Sequence, residues 1–70
     1  MNILIFKTNI KYKKDVQSIA HVINNIPSVI LWTIDRGDVD KVLRIEATDN
    51  VIETICNKIQ YAGYNCEELA

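Results

Sequence analysis

An α+β sandwich is the fold class that this 70-residue sequence predicts, with two helices on one face of a four-stranded antiparallel sheet. Three observations predict it. Short segments that are rich in β-branched and aromatic residues, or that alternate strictly, indicate strands. Two other segments repeat apolar residues at steps of three and four, which indicates amphipathic helices. The segments follow one another in the order β-α-β-β-α-β.

The first part of the chain predicts a strand and a helix. Asn2–Thr8 is rich in Ile and Leu and is apolar on both faces at first, so we expect it inside the sheet. From Asp15 the apolar period becomes that of a helix, marked by Val16, Ile19, Ala20 and Ile23. Asp15 is placed to cap this helix, although a start one turn earlier stays open. Pro27 ends the helix, because the residue before a proline is pushed out of the helical region.

A hairpin is predicted next. Ser28–Asp35 (SVILWTID) is β-branched and aromatic, and Lys41–Ala47 (KVLRIEA) alternates. The alternation predicts a half-buried strand with Leu43, Ile45 and Ala47 on its inner face. The turn between the two strands contains Gly37, which is able to take a positive φ.

The rest of the chain predicts a second helix and a last strand. Asn50 followed by Glu53 resembles a capping box, and the apolar stripe of the helix consists of Ile52, Ile55, Cys56 and Ile59. Gly63 ends this helix, and Tyr64–Leu69 is a last short strand. With right-handed crossovers, the order of elements gives the ferredoxin-like split βαβ fold.

The composition excludes several classes of protein. Residues 1–70 make one domain, and 49% hydrophobic residues exclude long disorder. No apolar run reaches the roughly 18 residues of a membrane span, and the first residues lack the features of a signal peptide. We therefore expect a cytoplasmic domain without membrane insertion. In that compartment Cys56 and Cys66 stay thiols, and we expect them to pack as small apolar side chains.

Several short motifs occur in the order and spacing of a known family. The first helix closes with Val22–Val29 (VINNIPSV), a hairpin follows, and the second helix closes with Ile59–Tyr64 (IQYAGY). On these residues the chain resembles the heavy-metal-associated domain family, the small copper chaperones and the metal-binding modules of P-type ATPases. The resemblance covers almost the whole chain, and it implies the same ferredoxin-like fold.

The metal loop of that family is replaced in this sequence. The family carries Met-x-Cys-x-x-Cys between the first strand and the first helix. Counting back from the end of the helix places Ile10 at the methionine, and Tyr12 and Asp15 at the two cysteines. Ile10 can keep the anchoring role of the methionine. A phenol and a carboxylate cannot replace two soft thiolates for Cu(I) or Zn(II), so we expect no metal and no cofactor. The register of the first strand stays open by one residue, because Lys7 falls where the family has an apolar residue.

The same loop offers a different binding surface. Three lysines surround the N-terminus of the first helix, where free backbone N–H groups favour an anion, and two tyrosines add aromatic surface. This candidate binding loop consists of Lys11, Tyr12, Lys13, Lys14 and Tyr64. Phosphate, nucleic acid and an acidic patch on a protein fit this chemistry, and a solvated lysine loop is the alternative. The net charge of −1 disfavours nucleic acid.

Catalysis finds no support in the sequence. His21 is the one histidine, and no acid or thiol has a predictable place beside it, as general acid–base work requires. We recognise no Ser/His/Asp set and no phosphate-binding glycine loop. The protein is therefore not expected to be an enzyme.

The second strand predicts a surface for self-association. Trp32 alternates with Ile30 and Ile34, so that all three are expected to face the helices. The opposite face then carries a small apolar patch of Val29, Leu31 and Val42, and such patches mark interfaces. We also expect this strand at a sheet edge, where copies of a protein can pair. A homodimer therefore stays open.

The sequence as a whole predicts a small, non-catalytic binding or interaction domain. Its partner is an unidentified protein or small ligand. Two alternatives stay open: a metal-ion chaperone or carrier of the copper type with weak or unusual binding, and anion or nucleic-acid binding by the lysine loop.

Overall fold

The strands and helices of the computed structural model occur in the predicted order, and they confirm the ferredoxin-like α+β sandwich. The structure describes residues 2–69. The strands are β1 (Asn2–Thr8), β2 (Val29–Asp35), β3 (Val42–Ala47) and β4 (Cys66–Glu68), and the helices are α1 (Lys13–Ile23) and α2 (Ile52–Tyr61). β1 has the predicted bounds, and the other strands are shorter than predicted at their ends.

The sheet has the strand order β2-β3-β1-β4, and every neighbouring pair is antiparallel. β1 is therefore an inner strand and β2 an edge strand, as predicted. In the register, Leu4 of β1 lies opposite Ile45 of β3, and Thr8 at the end of β1 lies opposite Cys66 of β4. This pairing brings the start of β4 to the end of the sheet at which β1 leads into α1.

The apolar core lies between the sheet and the two helices. Its largest fully buried side chains are Phe6, Ile10, Ile19, Ile23, Leu43, Ile45, Ile55 and Ile59. Burying side chains of this size contributes roughly 1.5–3 kcal/mol each. The inward position of Phe6 settles the register of β1, because Lys7 then faces outward and is exposed.

A β-bulge in β2 changes the predicted faces of this strand. Trp32 and Ile34 pack against the core as predicted, but Ile30 is 57% exposed and Val29 packs inward. The prediction for Ile30 and Val29 is wrong because the register shifts between Val29 and Leu31, so strict alternation fails there. The large apolar side chains of the strands that are exposed are Ile3 in β1 and Ile30 and Leu31 in β2.

Both helices begin and end close to the predicted residues. α1 begins at Lys13, two residues before Asp15, and α2 begins at Ile52. Gly63 follows α2 with a φ of 98°, a conformation that L side chains rarely adopt, so glycine suits this position. No helix among residues 2–69 is long and apolar enough to cross a membrane.

Candidate functional site

The loop between β1 and α1 is anchored at its base by one hydroxyl group. Thr8 Oγ1 donates a hydrogen bond to the carbonyl oxygen of Lys41 at 2.6 Å and accepts one from the N–H of Ile10 at 3.2 Å. The side chain of Ile10 is fully buried. The loop therefore leaves the sheet along a fixed path, with an apolar anchor at the position predicted for it.

Asp15 connects the start of α1 to a second loop. Its Oδ2 accepts a hydrogen bond from the N–H of Tyr12 at 3.1 Å, and its Oδ1 accepts one from the hydroxyl of Tyr64 at 3.0 Å. The sequence placed Asp15 to cap the helix and left an earlier start open, and the structure has the earlier start, at Lys13. Tyr12 precedes the helix and Asp15 lies in the first turn, where its carboxylate reaches back to the backbone.

These contacts hold the Asp15 carboxyl in its ionised form. Partial desolvation acts to raise its pKa, but the hydrogen bonds from Tyr12 and Tyr64 and the charge of Lys14 outweigh it. The net result is a pKa below the ordinary value of 3.8. Hydrogen bonds to the charged form and a nearby opposite charge are the usual causes of such a shift.

The loop after α2 brings Tyr64 to Asp15. The N–H of Tyr64 donates to the carbonyl oxygen of Ile59, and the N–H of Asn65 donates to Asn9 Oδ1 at 2.9 Å. Asn9 belongs to the loop between β1 and α1, so the two loops are bound to each other directly. The structure thus places Tyr64 in contact with Asp15, whose other carboxylate oxygen binds the backbone of Tyr12.

The outer side of this site is basic and aromatic. Tyr12 is 56% exposed, and the Nζ atoms of Lys11 and Lys14 each lie 5.8 Å from the centroid of its ring. Lys13 is exposed as well. Among residues 2–69, the two ion pairs involve other lysine and arginine residues. The Asp15 carboxylate, however, already lies at the N-terminus of α1, where the sequence suggested that an anion could bind.

An open depression adjoins the two loops on the side of β4. Its volume is about 670 Å³, and its wall consists of Lys7, Thr8, Asn9, Gln60, Gly63, Tyr64, Asn65, Cys66 and Glu67. Most of these residues offer polar atoms. The depression gives the site a concave edge beside its exposed basic surface.

The two cysteines meet, which the sequence reasoning missed. The Sγ atoms of Cys56 and Cys66 lie 3.4 Å apart. Cys66 is buried and Cys56 is half-buried against the core, so the expected packing role is correct but incomplete. Burial raises the pKa of the Cys66 thiol, and the neighbouring Cys56 raises it further. The sequence offered only part of the signal. Cys56 lies on the predicted apolar stripe of its helix, but the place of Cys66 depends on how the loop after α2 returns to the sheet.

The residues at the positions of the family's metal ligands do not fit a copper or zinc ion. The phenol of Tyr12 is a hard ligand at an exposed position, and both carboxylate oxygens of Asp15 accept hydrogen bonds from the protein itself. Within residues 2–69, no three His, Cys, Asp or Glu side chains lie close enough together to hold a metal ion. His21 is exposed on α1.

Comparison with known proteins finds similar structures. No protein-family model matches the chain, and no curated protein matches it either. The N-terminal domain of PacS from Synechocystis PCC6803 is similar over 100% of both chains, with a TM-score of 0.84 at 13% identity. The yeast copper transporter domain Ccc2a has a TM-score of 0.84 at 17% identity, over 100% of this chain and 97% of that chain.

A third similar structure is the N-terminal domain of ZntA in its Zn(II) form. It has a TM-score of 0.81 at 12% identity, over 94% of this chain and 89% of that chain. Because the identities are low, these comparisons establish a shared fold. They support the fold that the resemblance to heavy-metal-associated domains implies.

Proposed function

We propose that this chain is a small, non-catalytic interaction domain that binds an acidic region of a protein partner through its candidate binding loop. The observation that carries the proposal is the exposed ring of Tyr12, with the ammonium groups of Lys11 and Lys14 each 5.8 Å from its centroid. Tyrosine is enriched at protein interfaces, where its ring supplies contact area. The lysine charges add electrostatic complementarity to an acidic partner.

The proposal is also supported by the way the loop is held. Asp15 binds Tyr12 and Tyr64, and Asn9 binds the backbone of Asn65. A surface that is already ordered loses less conformational entropy when it binds a partner. The loop carries three lysines against the one carboxylate of Asp15, so the charge that a partner meets is positive in sum.

A protein partner fits better than nucleic acid. The chain has a net charge of −1, and phosphate binding depends on several cationic contacts along a backbone. The candidate binding loop has three lysines at one end of a small domain. We further propose a cytoplasmic location and one domain over residues 1–70.

A charge-reversal pair tests this proposal. Binding of a fluorescent polyglutamate peptide and of a single-stranded oligonucleotide is measured for wild type, Lys14→Glu and Lys58→Glu. Lys58 lies in α2, beside a groove between the two helices. Its reversal changes the net charge by the same amount as Lys14→Glu, but away from the candidate binding loop. We expect Lys14→Glu to weaken peptide binding about tenfold and Lys58→Glu about twofold or less.

Equal losses in the two variants would contradict the proposal, because they would show that only net charge matters. Tighter binding of the oligonucleotide, with affinity that falls steeply with salt, would favour the nucleic-acid alternative instead. A Tyr12→Ala variant that keeps full affinity would show that the aromatic ring is not part of the interface.

A metal carrier is the second candidate function, and the contact between the Cys56 and Cys66 sulfur atoms favours it. Two thiolates are soft ligands that suit Cu(I). Titration with Cu(I) and with Zn(II) under reducing conditions separates the candidates. Stoichiometric submicromolar binding that is lost in Cys66→Ser would overturn the main proposal.

Self-association through β2 stays a proposal as well. β2 is an edge strand, and Ile30 and Leu31 are exposed on it. A mass equal to one chain by light scattering would contradict a homodimer.

A further inference from the structure

Two thiols from different elements are in contact on the inner side of the β4 edge. Cys56 belongs to α2 and Cys66 begins β4, and their Sγ atoms lie 3.4 Å apart. The two elements are also joined by a hydrogen bond from Gln60 Nε2 to the carbonyl oxygen of Cys66 at 3.1 Å. The proposed interaction surface does not require either thiol.

We propose that Cys56 and Cys66 form a site of reversible oxidation, at which a small-molecule disulfide such as oxidised glutathione converts them into an intramolecular disulfide. A disulfide has an S–S length of about 2.05 Å, so the two sulfur atoms must approach by roughly 1.4 Å. Rotation about the single χ1 torsion of each cysteine moves its sulfur without moving the backbone. The fold therefore holds the two sulfur atoms in contact before a disulfide bond forms.

The exchange takes two balanced steps. Cys56 is the less buried thiol; it loses its proton, and its thiolate attacks one sulfur of oxidised glutathione. The S–S bond of the oxidant breaks, and one glutathione leaves as a thiolate that takes up a proton. Cys66 then loses its proton and attacks the Cys56 sulfur, which releases the second glutathione. Two protein thiols are oxidised, and one glutathione disulfide is reduced to two thiols.

The second step requires ionisation of the buried thiol. The thiolate is the attacking form of cysteine, and burial raises the pKa of the Cys66 thiol. The ring that closes includes Gly63 and Tyr64. Oxidation would therefore restrict the segment that holds the Tyr64 hydroxyl against Asp15.

The test uses the intact chain in a buffer of oxidised and reduced glutathione with a chelator present. The reaction is quenched with acid, and intact mass and free-thiol titration identify the product. We expect a wild-type product that has lost two hydrogen atoms and carries no glutathione. Cys66→Ser cannot close the ring, so we expect it to keep one glutathione on Cys56. Cys56→Ser leaves the buried thiol and is expected to react most slowly.

The wild-type chain in urea provides the matched control. There the two cysteines keep their separation in sequence but lose their contact. We expect the equilibrium constant for disulfide formation to be at least about tenfold larger in the folded chain. Equal constants in the two states would overturn the proposal. So would a folded chain that keeps both thiols, or one that stops at the mixed disulfide.

Discussion

The two helices begin in different ways, although each follows an inner strand of the sheet and a short loop. At the start of α1, the Asp15 carboxylate accepts a hydrogen bond from Tyr64, which lies 49 residues away. At the start of α2, Asn50 Oδ1 accepts one from the N–H of Ile52, only two residues away. The first helix start is a tertiary junction and the second is a local turn. Because the contact with Tyr64 fixes the start of α1, it also fixes the basic surface around it.

The largest expected effect concerns the apolar anchor of the first junction. Ile10 is fully buried in the loop before α1, whereas Val51, directly before α2, is only half-buried. We expect Ile10→Ala to lower the free energy of unfolding by about 2–5 kcal/mol, because it leaves a cavity in the core. Val51→Ala is the matched control, with an expected loss of about 1 kcal/mol. Urea denaturation measures both, and equal losses would mean that the two helix starts are anchored alike.

An intermediate effect is expected from the charge of Asp15. Its pKa lies below 3.8 in the folded chain, so the ionised carboxylate favours folding. This stabilisation is fully present above the unfolded value and is lost as the pH falls through the folded value. Asp15→Asn should therefore lower the melting temperature at neutral pH, and the difference from wild type should shrink at a pH below 3.8.

Glu53→Gln is the control for this pH dependence, since it removes the acid in the first turn of α2. We expect it to change the melting temperature at neutral pH less than Asp15→Asn does. A difference between Asp15→Asn and wild type that stays constant down to acidic pH would show that the carboxylate does not stabilise the junction through its charge.

The smallest expected effect concerns Asn50, at the local turn before α2. Its side chain is exposed and makes one hydrogen bond to the backbone. We expect Asn50→Ala to lower the free energy of unfolding by about 0.5 kcal/mol, because it removes one exposed local hydrogen bond. Thermal unfolding at neutral pH measures it. A loss as large as that of Ile10→Ala would remove the contrast between the two helix starts.

Local patterns were sufficient to predict the elements of this fold. Alternation defined β3, and the apolar stripes defined both helices, because each pattern depends on residues close together in sequence. The sequence could not place Ile30, since a bulge is a property of two paired strands. It could not place Tyr64 on Asp15 or Cys56 on Cys66, because those contacts depend on how the loop after α2 returns to the sheet.

The candidate binding loop shows the same limit. The lysines and Tyr12 were identifiable from their order along the chain, but their exposure was not. The hydrogen bond that the Asp15 carboxylate accepts could not be predicted either, because its donor is the hydroxyl of Tyr64 in another loop. Resemblance to a family located the loop, and the structure then showed the contacts of Asp15, which the sequence alone could not give.

The bulge in β2 has a consequence for the behaviour of the protein at high concentration. An exposed edge strand with adjacent apolar residues such as Ile30 and Leu31 is a template on which further chains can stack into aggregates. The register shift between Val29 and Leu31 breaks that template near the start of the strand. The regular part of the edge is then limited to Leu31–Asp35. It ends at Asp35, which carries a negative charge. The irregularity thus shortens the edge along which another chain could pair, while Trp32 and Ile34 keep their packing against the core.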